Sequence, residues 1–162
     1  MAERYFNHFQ GIDVEVPIEY RDKFGQYCQT GTGGRTDLDK TPFPRMVDLW
    51  FLAVCVATRL GLDPVDKGKR ETYKLIEGSI FGGDPWRIHA LTLISLAIAK
   101  DLQVVGEPRR MMSIANGLAI VGLPHVFEML EKRGMDPVWA ISDAITELLD
   151  GHAADVAKQA TH

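Results

Sequence analysis

Thr41-Pro42-Phe43-Pro44-Arg45-Met46-Val47-Asp48-Leu49-Trp50-Phe51-Leu52-Ala53-Val54-Cys55-Val56-Ala57 is the stretch whose reading decides the fold. Proline sets φ near the helical value and needs no N–H partner, so Pro42 and Pro44 stop the preceding chain and open a helix. Past Asp48 no charge falls until Arg59. A helix apolar on every side is buried nearly all round, and other helices must pack about it to make a single core. This helix runs from about Pro44 to Leu60, with Gly61 closing its C-terminal end.

The punctuation around that helix repeats its logic. Asp84-Pro85 opens a second helix in which Ile88, Leu91, Leu93, Ile94, Leu96, Ala97 and Ile98 indicate extensive burial. Pro108 opens a third, ending near Gly122. Pro124 opens another, ending at Gly134. Asp136-Pro137 opens the last, ending near Gly151, after which residues 152–162 read as a disordered tail. Upstream, Ile12-Asp13-Val14-Glu15-Val16 alternates with period two, a short strand. Pro17 then starts a helix through Tyr20, Phe24 and Tyr27. A shorter helix is expected around Thr72–Ile80. The expected fold is mainly α: a bundle of five or six helices with one short N-terminal strand, forming one domain over residues 1–151.

Composition narrows the function classes. The 162 residues are 46% hydrophobic and 25% charged, ordinary for a globular chain long enough to bury a core. A net charge of −4 argues against a protein that coats nucleic acid unaided. Cys28 and Cys55 lie in different elements, which fits a reduced, cytoplasmic setting better than a disulfide scaffold. The first residues hold no apolar core of a secretion signal, and the Leu49–Ala57 run is too short to span a bilayer, so no membrane partner is expected.

The candidate chemistry is sparse. Gly31–Arg35 is glycine-rich, but a phosphate loop needs a preceding strand and a Lys-Ser or Lys-Thr pair at a helix start, whereas Lys40-Thr41 is followed by proline. His8, His89, His125, His152 and His162 make no zinc spacing. No Gly-x-Ser-x-Gly turn is present, and the pairs Asp37/Asp39 and Asp63/Asp66 fall in polar loops. These observations predict no enzymatic activity, no metal and no cofactor. An alternative keeps a small hydrolase or metalloenzyme assembled from distant residues around His89 and Cys55; another is a self-associating structural protein.

Two basic clusters stand out. Lys67, Lys69 and Arg70, with Lys74, give +3 over residues 67–74 after Glu71 is counted. Arg109 and Arg110 sit in the first turn of a helix, where positive charge opposes the macrodipole and an anion would compensate. Arg35 on the glycine loop could join them. The expected binding set is therefore Arg35, Lys67, Lys69, Arg70, Arg109 and Arg110. Trp86 and Trp139 lie in the first turns of proline-opened helices, where a staple onto the core is the first reading and partner contact the second.

Pro42-Phe43-Pro44-Arg45-Met46-Val47-Asp48-Leu49-Trp50-Phe51-Leu52-Ala53, with Arg59-Leu60-Gly61-Leu62, resembles small proteins that accompany DNA phosphorothioation (Dnd-type) modification and restriction systems. The likeness covers about residues 14–65 and carries no catalytic signature. It implies a non-enzymatic accessory subunit of a prokaryotic DNA-modification or anti-phage complex. Its partner would be a larger protein, with DNA-backbone contact as an additional mode; apart from the resemblance, a homo-oligomer is also open.

Overall fold

The computed structural model describes residues 6–31 and 37–159, with side chains through residue 151. Arg35 and the centre of the glycine loop lie outside the described residues. Among the described residues the architecture is mainly α, with one two-stranded antiparallel sheet.

Strand β1 (Asp13–Pro17) buries Val14 and Val16. A single 3-10 turn, Ile18–Tyr20, leads into α1 (Arg21–Tyr27). The spacing of Tyr20, Phe24 and Tyr27 brings all three rings to Phe127, at centroid distances of 5.3, 6.4 and 6.2 Å. The chain leaving α1 is tied to the approach of the central helix: Gln29 N donates to the Phe43 carbonyl at 2.9 Å, and Phe43 N to the Tyr27 carbonyl at 3.3 Å.

Helix α2 (Met46–Arg59) is the buried centre read from the sequence. Val47, Leu49, Trp50, Phe51, Ala53, Val54, Val56 and Ala57 are all inside. Gly61 follows at φ +67, the left-handed conformation that ends a helix at little cost only for glycine. The expected helix at Thr72–Ile80 is instead strand β2 (Thr72–Glu77) followed by a 3-10 segment, Gly78–Gly83. β2 pairs antiparallel with β1, Val14 opposite Ile76 and Val16 opposite Tyr73. Backbone pairing with a strand far upstream decides this segment, together with its aromatic and β-branched residues.

Helix α3 (Pro85–Ala99) corrects a second expectation. It buries only Arg87, Ile88, Leu91 and Ser95, and Leu93 is 66% exposed. Helix α4 (Pro108–Leu130) corrects a third, because it runs unbroken through Gly122 and Pro124. Pro124 removes one backbone donor, but Leu118, Ala119, Leu123, Val126 and Phe127 are buried around it, and that burial outweighs the lost bond. Gly122 is where α4 crosses α2: a Cβ there would lie 2.0 Å from the Ala53 carbonyl oxygen. The helix ends at Leu130 rather than near Gly134. By length and composition α4 could cross a membrane, yet 56% of its most apolar window is buried against its neighbours, as in a core helix.

Helix α5 (Pro137–Gln159) continues past Gly151 into the segment read as a disordered tail; residues 160–162 lie outside the described residues. Its start is anchored by Val138 N donating to the Asp39 carbonyl at 3.0 Å. α4 is the hub, packing most extensively on α2 and also on α3, α5 and β1. Trp50, Phe51 and Val54 are buried as expected, and Ile94 is half-buried.

Candidate binding cleft and charged clusters

Two of the candidate binding residues, Lys67 and Arg109, meet in a cleft of about 420 Å³ between the β1–β2 pair, the connection after α2 and the first half of α4. α4 contributes Arg109, Ser113 and Asn116, spaced four and three apart and so on one side of the helix. The connection contributes Val65, Asp66 and Lys67. Its wall stays close to α4 because Gly117 has no side chain: a Cβ there would lie 2.5 Å from the Val65 carbonyl oxygen, and Val65 N donates to the Gly117 carbonyl at 3.4 Å. β1 contributes Asp13 and Glu15, and β2 contributes Thr72.

The fold thus brings Lys67 and Arg109, from separate sequence clusters, to one site. It surrounds them with three carboxylates. Lys67 Nζ is 2.9 Å from Glu15 Oε2, which also accepts from Thr72 Oγ1 at 3.3 Å. Asp66 accepts from Gly68 N at 2.9 Å and thereby shapes the turn that displays Lys67. Asn116 Oδ1 is enclosed and accepts no hydrogen bond from a described protein group. The wall carries both signs of charge beside apolar Ile12, Val65, Met112 and Ile120.

Lys69, Arg70 and Arg110 do not line this cleft. Lys69 and Arg70 are exposed on the turn closed by Arg70 N donating to the Lys67 carbonyl, and the Arg70 guanidinium also donates to the Asp66 carbonyl at 3.3 Å. Arg110 turns to Asp101 and Glu107, at 3.0 Å from each. Those two carboxylates raise the Arg110 pKa, Glu107 first; the Gln103 backbone N–H and then Arg110 lower that of Asp101. Lys74 is likewise held by Glu77 at 3.0 Å and by Asp13 at 3.9 Å.

Sequence reading assigns no site role to Asp13, Glu15, Ser113 or Asn116, and leaves Asp66 to a polar loop. The signal for Ser113 and Asn116 is the helical spacing from Arg109, which marks one polar stripe at the start of an otherwise apolar helix. Asp13 and Glu15 could be found only through the β1–β2 pairing.

A second charged cluster is structural in its geometry. Asp48 begins α2 by accepting from Arg45 N at 2.9 Å. Its carboxylate also binds the buried Arg87 of α3, whose other arm reaches Asp84 at 2.6 Å. Arg45 closes the ring at 3.0 Å from Asp84. Asp84 precedes α3, as expected of an N-cap, but makes no side-chain cap bond; its carboxylate serves the two arginines instead.

The nucleophile candidates are quiet. Burial, reinforced by Asp48, pushes the Cys28 thiol up to about 12, and burial also raises that of half-buried Cys55 despite the nearby Arg87. A thiolate is the reactive form, so both sites oppose nucleophilic chemistry. His89 is on the exposed side of α3. Among the described residues no three His, Cys, Asp or Glu side chains gather as a metal set.

Compared with known proteins, the chain matches no family model, and no curated protein or solved structure matches it significantly.

Proposed function

We propose that this chain is a non-enzymatic binding subunit of a prokaryotic DNA-modification or anti-phage complex, and that it grips a larger protein partner through the cleft between β1–β2 and α4. The observation that carries the reading is the convergence of Lys67 and Arg109 on one cleft shared with Asp13, Glu15 and Asp66. A wall of both signs suits a polypeptide segment presenting acidic and basic side chains together, since matched charges set register and exclude wrong partners. A uniformly anionic ligand would meet the three carboxylates. The placement within a DNA-modification complex rests on the resemblance over residues 14–65.

The test is co-purification with each protein encoded beside this one, using wild type, K67E/R109E and K132E/R133E. Lys132 and Arg133 are exposed at the turn after α4, so the last variant makes the same change of net charge away from the cleft. Loss of association in K67E/R109E alone supports the reading. Equal association of both variants rules the cleft out.

Duplex DNA is a second reading, favoured by one observation: Lys69 and Arg109 have no carboxylate partner among the described residues. Contact through these cations would track the phosphate backbone without reading sequence.

A further inference from the structure

Helix α3 carries no charged residue between Arg87 and Lys100, yet the described residues cover only one side of it. The opposite side presents Trp86, Ala90, Leu93 and Ala97, with Ala90 half-buried at its edge, at spacings of four, three and four, within an arc of about 60° at 100° per residue. Trp86 is 54% and Leu93 66% exposed, and Ala97 is open beside them. Phe6 and His8 border the stripe and extend it into a shallow, mainly apolar groove with Ile88, Leu93 and the polar His89 and Thr92.

The order of sizes along this stripe is large, small, large, small. In a two-fold pairing of antiparallel helices, residues equidistant from one central point meet across the axis. Trp86 and Ala97 are centred between Leu91 and Thr92. Ala90 and Leu93 are centred on the same point. One two-fold axis therefore sets both large side chains of each helix against both small ones of the other, allowing close approach without a clash or a gap.

We propose that the bare face of α3 is a homodimer interface, in which α3 packs antiparallel on the α3 of a second copy. An unrelated partner would not require the stripe to be complementary to its own reverse. Charge agrees with the pairing. The axis brings no like charges together, opposes the two macrodipoles, and sets each Lys100 at the level of the start of the other helix, where Asp84 lies. Trp86 is prepared for such a contact. The Arg87 guanidinium lies 4.5 Å from its ring centroid, and Phe51 meets it edge-on at 5.3 Å. An aromatic ring already held in place loses little freedom on association. The proposal is independent of the cleft.

Sedimentation equilibrium on the full chain, over about 1 to 100 µM, tests it with four proteins. Wild type should show a concentration-dependent dimer. A97W sets Trp against Trp and should weaken that dimer at least about tenfold, or about 1.4 kcal/mol. W86A/A97W exchanges large and small at both ends and should restore it. L93E, which buries a charge at the axis, should be monomeric. Thermal melts followed by circular dichroism identify any variant that has unfolded, and the swap variant then carries the decision with wild type. A wild type that stays monomeric at 100 µM overturns the proposal. So does a dimer indifferent to A97W and L93E, or a folded swap variant that remains a monomer.

Discussion

The carboxylate of Asp48, in the first turn of α2, binds the buried guanidinium of Arg87 in the first turn of α3 and so joins the starts of the two helices. Arg87 reaches Asp84 with its other arm, and both acids also meet Arg45. Removing one partner of a buried pair strands the other charge, which costs about 3–5 kcal/mol, whereas replacing both with apolar groups is nearly neutral. Asp48→Ala leaves Arg87 held by Asp84 alone, so it should lower unfolding free energy by about 2–3 kcal/mol, measured by urea titration. Arg45→Ala should cost about 1 kcal/mol or less, because 41% of that side chain is in water. The double variant D48L/R87M should be more stable than D48A. If it is less stable, the ring itself contributes net stability.

Two glycines should respond in opposite directions. Gly122→Ala forces a methyl to 2.0 Å from a backbone oxygen of α2, where no flexible side chain can yield. The helices must separate, at about 1–3 kcal/mol. Gly25, inside α1, has nothing within 4 Å of its would-be Cβ. Gly25→Ala should stabilise by about 0.5–1 kcal/mol through helix propensity and a stiffer unfolded chain. Denaturation midpoints of the two variants against wild type decide this directly.

Buried weak acids set the alkaline limit. Burial holds the Cys28 thiol up at about 12 against an ordinary 9.0, and the Tyr73 phenol at about 12 against 10.0. Burial raises Tyr20 and Tyr27 as well. Between these values the folded chain keeps protons that the unfolded chain releases, so stability falls as pH rises. The contribution of these four groups should be level below about pH 8 and decline as pH rises from there toward about 12. Cys28→Ala should flatten the first part of that decline while lowering stability at neutral pH. In the native state Cys28 should resist a thiol reagent at pH 8, and unfolding in denaturant should release it.

Local signals made part of this legible in the sequence. Pro42, Pro44 and the charge-free run after Asp48 marked α2 and its burial, and Pro85, Pro108 and Pro137 each opened a helix. The failures share a cause in contacts distant along the chain. Pro124 and Gly122 looked like a break because their local cost is visible, while the packing that overrides it belongs to α2. Thr72–Glu77 became a strand because β1 lies beside it. An all-round apolar α3 reads as buried in any one-dimensional pattern; its bare side appears only once the neighbours are placed. The cleft followed the same rule. Lys67 and Arg109 were visible as cations, but their meeting, and the acids between them, required the sheet and the Val65–Gly117 contact.

The internal pairing of these cations sets the size of any DNA response. If all five of Lys67, Lys69, Arg70, Arg109 and Arg110 contacted phosphates, log affinity would fall with log salt at about −4.5, at −0.9 for each contact. Lys67 is engaged by Glu15, and Arg110 by Asp101 and Glu107. Among the described residues Lys69, Arg70 and Arg109 have no carboxylate partner, so the expected slope is no steeper than about −2.7. Fluorescence anisotropy with a short labelled duplex at 25 to 200 mM salt measures it. K69A/R70A/R109A should abolish binding and leave the melting temperature nearly unchanged, because solvated charges contribute little to folding. R110A should shift affinity less than twofold. A slope near −4.5 would mean that DNA breaks the internal pairs and that the cleft is a phosphate site. No binding at about 50 mM salt would leave these cations to a protein partner.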